Sequence, residues 1–492
     1  MIIALGKHLF QAEKTTEYWE KVAEKGYWDI IDADEEMLKV LALSYHNLPQ
    51  HLKACFLYIA SFPLDYEIHA YKLTRLWCAE GFLESTMSQN FERYAASGNK
   101  GIESQRRLCI HNNALFGIKG LRELMASVSN ARSLLCFGPH HSYPVPICLG
   151  FNLLRVLDVL TMRFYGFPNE VMKLVKLRYL AFTYSGKLPA SISKLQNLAY
   201  LIVHQYLSII SFEAHRWYLP IEIWNMQQLR HLEVIGSDLP EPSSETACLP
   251  NLLTLLGIST HSCTKEVLQR IPNLVKLGFQ IRLAADDDDD DDVVEHLFCF
   301  DCLTDLNRLD SLKYGVVNPN SRLQVAASVW PNFSSNLRKL TLSGLGFPWE
   351  YMSIIARLPN LRALKLRCNA FQGQDWTTYK GEFSKLRYLL LEDIDLRNWT
   401  AHHPKCFKRL EKLTIRHCYK LERIPQRIGY RARLWIRLVD CNPCLVAYTK
   451  EEILEKEEDR SYHIRIYVDS SVGNGSQCLT NAPAKLNSVL IT

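Results

Sequence analysis

One phrase recurs down this chain: an apolar residue, a leucine three positions later, a second leucine three after that, and an apolar residue two further on. It reads Leu174/Leu177/Leu180/Phe182, Leu195/Leu198/Leu201/Val203, Met226/Leu229/Leu232/Val234, Ile271/Leu274/Leu277/Phe279, Leu358/Leu361/Leu364/Leu366, Phe383/Leu386/Leu389/Leu391 and Phe407/Leu410/Leu413/Ile415. Weaker copies surround Leu154, Leu252, Leu312 and Leu337, and a degenerate one surrounds Ala131. The second apolar positions therefore fall at 131, 154, 177, 198, 229, 252, 274, 312, 337, 361, 386 and 410, mostly 21 to 25 apart. The last two apolar positions, two apart, point the same way from a short strand, and the earlier ones fill the turn behind it. A single unit of this kind cannot close its own core. Neighbours must stack, which makes the chain a solenoid with strands along its concave face.

The period is that of a leucine-rich repeat, and the expected fold class is α/β: a repeat solenoid preceded by a small all-α module. At 492 residues the chain is too long for one ordinary domain. Residues 1–90 carry helical rather than repeat spacing. A helix is expected over Glu17–Glu24, followed by an acidic loop at 32–36 and a helix through Met37, Val40, Leu41 and Tyr45 that Pro49 ends. A further helix presents Leu52, Cys55, Phe56 and Ile59 on one face. The next, from about His69, presents Leu73, Leu76 and Trp77 and stops at Gly81. The expected layout is this module over 1–90, a junction over 91–120, repeats over 121–440 and a tail over 441–492. In the tail, Glu451 to Asp459 reads as a polar helix.

A formal charge of +5 on this length gives no global pull toward nucleic acid. No apolar run is long enough for a membrane span, and the first residues lack a signal peptide's basic and apolar regions. The 15 cysteines are expected as reduced, structural thiols of a cytoplasmic protein. Cys299-x-x-Cys302 and Cys441-x-x-Cys444 lie too far apart to share one zinc. Seven consecutive aspartates, Asp286 to Asp292, repel one another and lack the alternating ligands and glycine turn of a calcium loop. The Gly-Lys pairs at Gly6 and Gly186 lack the upstream glycine and following hydroxyl of a phosphate-binding loop. No catalytic motif is present, so a binding protein without catalytic residues, metal or cofactor is expected. The sharpest local signal is basic. Arg338, Arg362, Lys365, Arg367, Arg387, Lys412 and Arg416 flank the inward leucines of successive units, which predicts a basic column on the concave face, suited to an acidic partner.

Residues 38–83 carry a specific wording. Leu41-Ala-Leu-Ser-Tyr-His-Asn-Leu-Pro49, Leu52-Lys-Ala-Cys-Phe-Leu-Tyr-Ile-Ala-Ser-Phe-Pro63, Asp65-Tyr-Glu-Ile68 and Leu76-Trp-Cys-Ala-Glu-Gly-Phe82 closely resemble the second ARC subdomain of plant nucleotide-binding leucine-rich-repeat disease-resistance proteins of the coiled-coil class. The resemblance covers residues 1–83 in wording and the repeats in pattern. It implies a partial NB-ARC region ending in a winged helix, coupled to a sensor solenoid in an intracellular immune receptor. In the parent family ADP and ATP switch the receptor off and on. This chain shows neither the phosphate-binding loop nor the Met-His-Asp motif, and Arg106-Arg-Leu-Cys-Ile-His111 already resembles the start of the family's repeats. Nucleotide binding and phosphate release are therefore not expected of it. The resemblance implies a protein partner: the NB-ARC region of a related receptor, a pathogen effector or a guarded host protein. An inactive gene fragment, or a regulator of a full-length receptor, fits the same text. The reading from another class is a winged-helix nucleic-acid binder using His69 to Phe82. That helix offers only Lys72 and Arg75 as basic residues and commits Leu73, Leu76 and Trp77 to a core.

Overall fold

The computed structural model describes residues 45–63, 66–83, 106–110, 130–138, 152–164, 166–184, 186–205, 217–235, 237–243, 247–282, 303, 306–317, 333–403, 406–426, 428, 433–454, 464–469 and 477–480. The expected helix over Glu17–Glu24, the acidic loop at 32–36, the Asp286 to Asp292 run, the Cys299/Cys302 pair and the second half of the Glu451 to Asp459 segment lie outside them. The chain divides into two compact units, Met1–Phe182 and Thr183–Thr492.

In the first unit two helices, Gln50–Ile59 and Ala70–Glu80, accompany parallel strands Arg107–Ile110, Ser133–Cys136 and Val156–Phe164. Gly81 ends the second helix at φ +85°, a left-handed conformation that glycine adopts without a Cβ penalty, and the N–H of Phe82 closes back on Trp77 O. In the first helix Cys55 is buried as expected, but Tyr58 takes the inward place expected of Ile59, which is exposed. The reason is what the helix packs against. Tyr58 reaches Ser133 Oγ at 3.3 Å, and Ser133 donates to the buried carboxylate of Glu80. Arg155 donates to the Glu80 carbonyl at 2.7 Å, and Lys72 pairs with buried Asp158 at 2.8 Å. Phe62 and Tyr66 meet Phe137 with ring centroids 5.2 and 5.0 Å apart. The helices are therefore bound to the first repeats by a buried polar network as well as by apolar contact, and the two form one unit where the sequence suggested a boundary at 90.

The second unit is a ladder of parallel strands: Tyr200–His204, His231–Ile235, Thr254–Ile258, Lys276–Arg282, Ser311–Val317, Lys339–Ser343, Ala363–Arg367, Tyr388–Glu392, Lys412–Arg416, Leu434–Val439 and Ile464–Asp469, with Gln477–Thr480 added antiparallel. One row of inward residues runs through it in register: Leu201, Leu232, Leu255, Leu277, Leu312, Leu340, Leu364, Leu389, Leu413, Ile436 and Ile466. None is more than 2% exposed. Leu312 is thus the third position of its unit, and Leu309 is the second. The phrase there is Leu306/Leu309/Leu312/Tyr314, and the sequence reading of Leu312 as a second position is corrected by one step of three. The ladder also continues past 440, where Ile464, Ile466 and Val468 alternate with Arg465 and Tyr467 without the leucine phrase.

Between strands the chain returns through short 3-10 turns set by a preceding proline, as at Pro189, Pro220 and Pro348. Asparagines one residue before the second leucine tie turn to turn: Asn251, Asn273, Asn336 and Asn360 each donate a side-chain N–H to the carbonyl of Gln227, Pro250, Asn307 or Ser335. Among the described residues the ladder slips where Gly257 at φ +81° inserts an extra residue opposite Gly278/Phe279. A Cβ there would lie 2.5 Å from Val234 O, so the bulge requires glycine. The described cysteines are free thiols, and among the described residues no helix is long and apolar enough to cross a membrane.

Two stability outcomes follow. Leu364→Ala is expected to cost about 2–5 kcal/mol in denaturant melts. Lys365→Ala, its outward neighbour, stays within about 0.5 kcal/mol, and a reversed ranking would place the register off by one. Lys72→Ala leaves the Asp158 carboxylate buried and unpaired and is expected to cost about 3–5 kcal/mol, most of it recovered when Asp158→Asn is added. A Lys72→Ala chain as stable as the parent would remove this pair from the account.

Candidate functional site

The seven predicted basic residues all lie on the four consecutive strands Lys339–Ser343, Ala363–Arg367, Tyr388–Glu392 and Lys412–Arg416, or one residue before them. The register does not put them in a single column. Arg338, Arg362 and Arg387 each precede a strand, and each donates its backbone N–H to the same place on the previous turn, Asp310 O, Arg338 O and Arg362 O. Lys412 shares the first strand row with Lys339, Ala363 and Tyr388. Lys365 lies in the middle row with Thr341, Leu390 and Thr414. Arg367 and Arg416 lie in the last row with Ser343 and Glu392 between or beside them. Neighbouring strands are about 4.8 Å apart, so the rows together make a basic field four strands wide.

Acidic residues trim that field at its margins. Asp310 meets Arg338 at 3.4 Å and Glu411 meets Arg387 at 3.5 Å, exposed pairs of small energetic weight. Glu392 sits between Arg367 at 2.6 Å and Arg416 at 3.6 Å and engages both. Lys339, Arg362 and Lys412 have no ion-pair partner among the described residues, and Lys339 and Lys412 are exposed. Lys365 is half-buried, and its ammonium is held below the usual lysine value by burial first and by Arg367 next, with Glu392 opposing and Lys339 and Arg416 adding to the repulsion. An anion arriving here would meet unspent positive charge.

Aromatic rings, which the sequence reading did not include, interleave with these cations. The ring of Tyr388 has Lys365 Nζ and Lys412 Nζ each 5.7 Å from its centroid. Two strands further, Trp435 is 45% exposed, stacks on Tyr467 at 5.9 Å and carries the Arg465 guanidinium at 5.4 Å. Such half-exposed aromatic groups beside arginine and lysine are the side chains that anchor protein interfaces. Their signal was present as the strict alternation of Leu434–Val439 and Ile464–Asp469, but it stood outside the leucine-rich wording.

Elsewhere in the second unit, Glu233 accepts from His231 and faces His204 on the adjacent strand, at 3.3 and 3.4 Å. Burial pushes its carboxyl upward, but the hydrogen bonds from His204 and then His231 outweigh that and hold it well below the usual carboxylate range. Among the described residues no group of His, Cys, Asp and Glu is placed to hold a metal ion.

The family model described as leucine-rich repeat region matches residues 130–426, more than half of the chain. A putative late blight resistance protein homolog of Solanum demissum is 28% identical over 90% of this chain and 38% of its own length. Disease resistance protein RPP8 of Arabidopsis thaliana is 25% identical over 86% of this chain and 54% of its own length. The chain thus spans about two fifths to one half of these relatives, which bear out the resemblance to plant disease-resistance proteins. Among solved structures, a leucine-rich-repeat protein of Leptospira interrogans is 16% identical over 71% of each chain, with a TM-score of 0.32.

The charge arrangement gives a signed prediction. Among the described residues around Lys365, Glu392 is the anion that favours its charged form, so Glu392→Gln should move the Lys365 pKa further down. A pH titration of the reductively methylated chain by carbon NMR checks this, and an upward or absent shift would contradict the geometry.

Proposed function

Since the chain belongs to the leucine-rich repeat region family, we propose that it works by binding a protein through the exposed face of its parallel strands, as the repeat-bearing part of a plant disease-resistance-type protein. The observation that carries this reading is the group Lys339, Arg362, Lys365 and Lys412. These four cations lie on, or one residue before, three of four neighbouring strands, Lys339–Ser343, Ala363–Arg367 and Lys412–Arg416; three of them have no ion-pair partner among the described residues and one is held below its ordinary pKa. An acidic protein surface relieves that repulsion, whereas water only screens it. The partner we favour is the nucleotide-binding region of a related full-length receptor, with a pathogen effector or a guarded host protein as the other outcomes of the test. On this reading the chain acts in the cytoplasm, is not an enzyme and holds no nucleotide. The helices Gln50–Ile59 and Ala70–Glu80 are then the winged-helix end of an NB-ARC region, coupled to the repeats through Tyr58, Glu80 and Ser133. Switching between ADP and ATP belongs, on the same reading, to the parent family's nucleotide site and not to these residues.

The test is association of this chain with the nucleotide-binding region of a full-length relative at two salt concentrations. Exposed charges are screened beyond about 8 Å at physiological ionic strength, so raising salt should mainly slow association. Arg362→Glu with Arg387→Glu should slow it about 10-fold or more, and Glu392→Gln should quicken it. Binding that is unchanged by the reversals and by salt would remove the cationic face from the function.

A further inference from the structure

The return limbs of three successive turns in the second unit carry a tryptophan stack. Trp349 and Trp376 have ring centroids 4.9 Å apart, and Trp376 and Trp399 4.6 Å apart with planes 9° from parallel. All three are at least 95% buried. The first shows what an indole N–H in this stack bonds to: Trp349 Nε1 donates to the carbonyl of Gly373, one turn further on, at 3.0 Å. Trp399, the last in the stack, has a buried Nε1 with no hydrogen-bond partner among the described residues. A buried donor left unmade is costly, so this is a place where the fold stops one acceptor short.

Trp399 lines an open groove together with Thr400, Ala401, Arg423, Pro425 and Tyr448. Its strand, Asn398–Ala401, pairs in parallel with Asp375–Thr378 on one side. On the other side it makes a single bridge, Asn398 to Arg423. The next bond of that ladder would run from the residue two beyond Arg423 to the carbonyl of Trp399. That residue is Pro425, which has no N–H to give. The Trp399 carbonyl therefore receives no N–H from that segment, and Trp399, Thr400 and Ala401 border the groove with no further ladder bond on this side among the described residues. At its rim Arg423 lies 5.7 Å from the Tyr448 ring and has no ion-pair partner among the described residues, whereas the nearby Asp375 carboxylate already accepts from Asn398 at 2.8 Å.

We propose that this groove binds an extended acidic peptide segment of a partner protein, which adds a strand along Trp399–Ala401, accepts the Trp399 indole N–H on a backbone carbonyl and places a carboxylate at Arg423. A carbonyl at strand spacing is the acceptor that Trp349 already uses, and an open edge supplies the main-chain bonds of strand addition. The site is separate from the cationic face and does not depend on the partner proposed there.

The experiment pans a random 12-residue peptide library against the full chain and titrates the enriched synthetic peptides into chain labelled with nitrogen-15 at tryptophan. One indole resonance, the one missing from Trp399→Phe, should shift on binding. Trp399→Phe keeps an aromatic ring in the stack but removes the donor together with the smaller half of the indole, and should weaken binding about 2- to 10-fold. The surface change Arg423→Glu should weaken acidic peptides at least as much, with the melting temperature unchanged. Peptides that bind both variants as tightly as the parent, or no enrichment at all, would overturn the proposal. Self-association of the chain that Trp399→Phe abolishes and that no peptide displaces would assign the groove to a second copy and overturn it equally.

Discussion

Everything in the second unit depends on one constraint: an inward leucine on a five-residue strand cannot be covered by its own turn. Leu364 is buried because Leu340 stands at the same height on one side and Leu389 on the other, and each of those needs its own neighbour in turn. Full burial of such a side chain contributes roughly 1.5–3 kcal/mol, so a row of aligned apolar residues running the length of the ladder fixes its register more firmly than any local propensity. The asparagine bridges and the proline-set turns then satisfy the backbone of a coil whose pitch the leucines have already chosen.

The same alignment governs the exposed side. A register that stacks leucine on leucine also stacks outward residues at strand spacing, so cations placed at equivalent positions of successive repeats become neighbours about 4.8 Å apart. Lys365 is the clearest consequence, crowded by Arg367, Lys339 and Arg416 and relieved by Glu392. Just past the strands the repetition forces residues other than glycine into left-handed backbone: Cys368, Asp393, His417 and Asp440 take φ of 46° to 53°, and their N–H groups donate to the following turn. A backbone cost of this kind persists where the surrounding ladder over-determines the conformation. His417 lies between Asp393 at 3.2 Å and Asp440 at 3.6 Å on that edge.

What was legible in the sequence follows from what each pattern encodes. Inward leucines were readable because their spacing is the physics of the coil, and the helix end at Gly81 because glycine there has one structural meaning. Leu309 was missed because Leu306, Leu309 and Leu312 repeat every three residues, so two frames fit equally well until Leu277 and Leu340 on the flanking strands select one. The inward place in Gln50–Ile59 was read as Ile59 because helical spacing alone does not say that Tyr58 must reach Ser133, 75 residues away. The cations were found by their type, but not their rows, nor Glu392 between Arg367 and Arg416, since pairing across strands is invisible until register is known. Trp435 and the unpartnered Trp399 indole lay outside the leucine wording altogether.

Hydroxyl-radical footprinting of the unmodified chain tests the central claim, that a single register divides inward from outward residues along the whole ladder. Trp435 and Tyr388 should oxidise readily, whereas Trp376, Tyr314 and Phe407 in the same unit should be protected until the chain is unfolded. Protection of Trp435 together with oxidation of Trp376 in the folded chain would contradict the register, and with it the cationic face that the register builds.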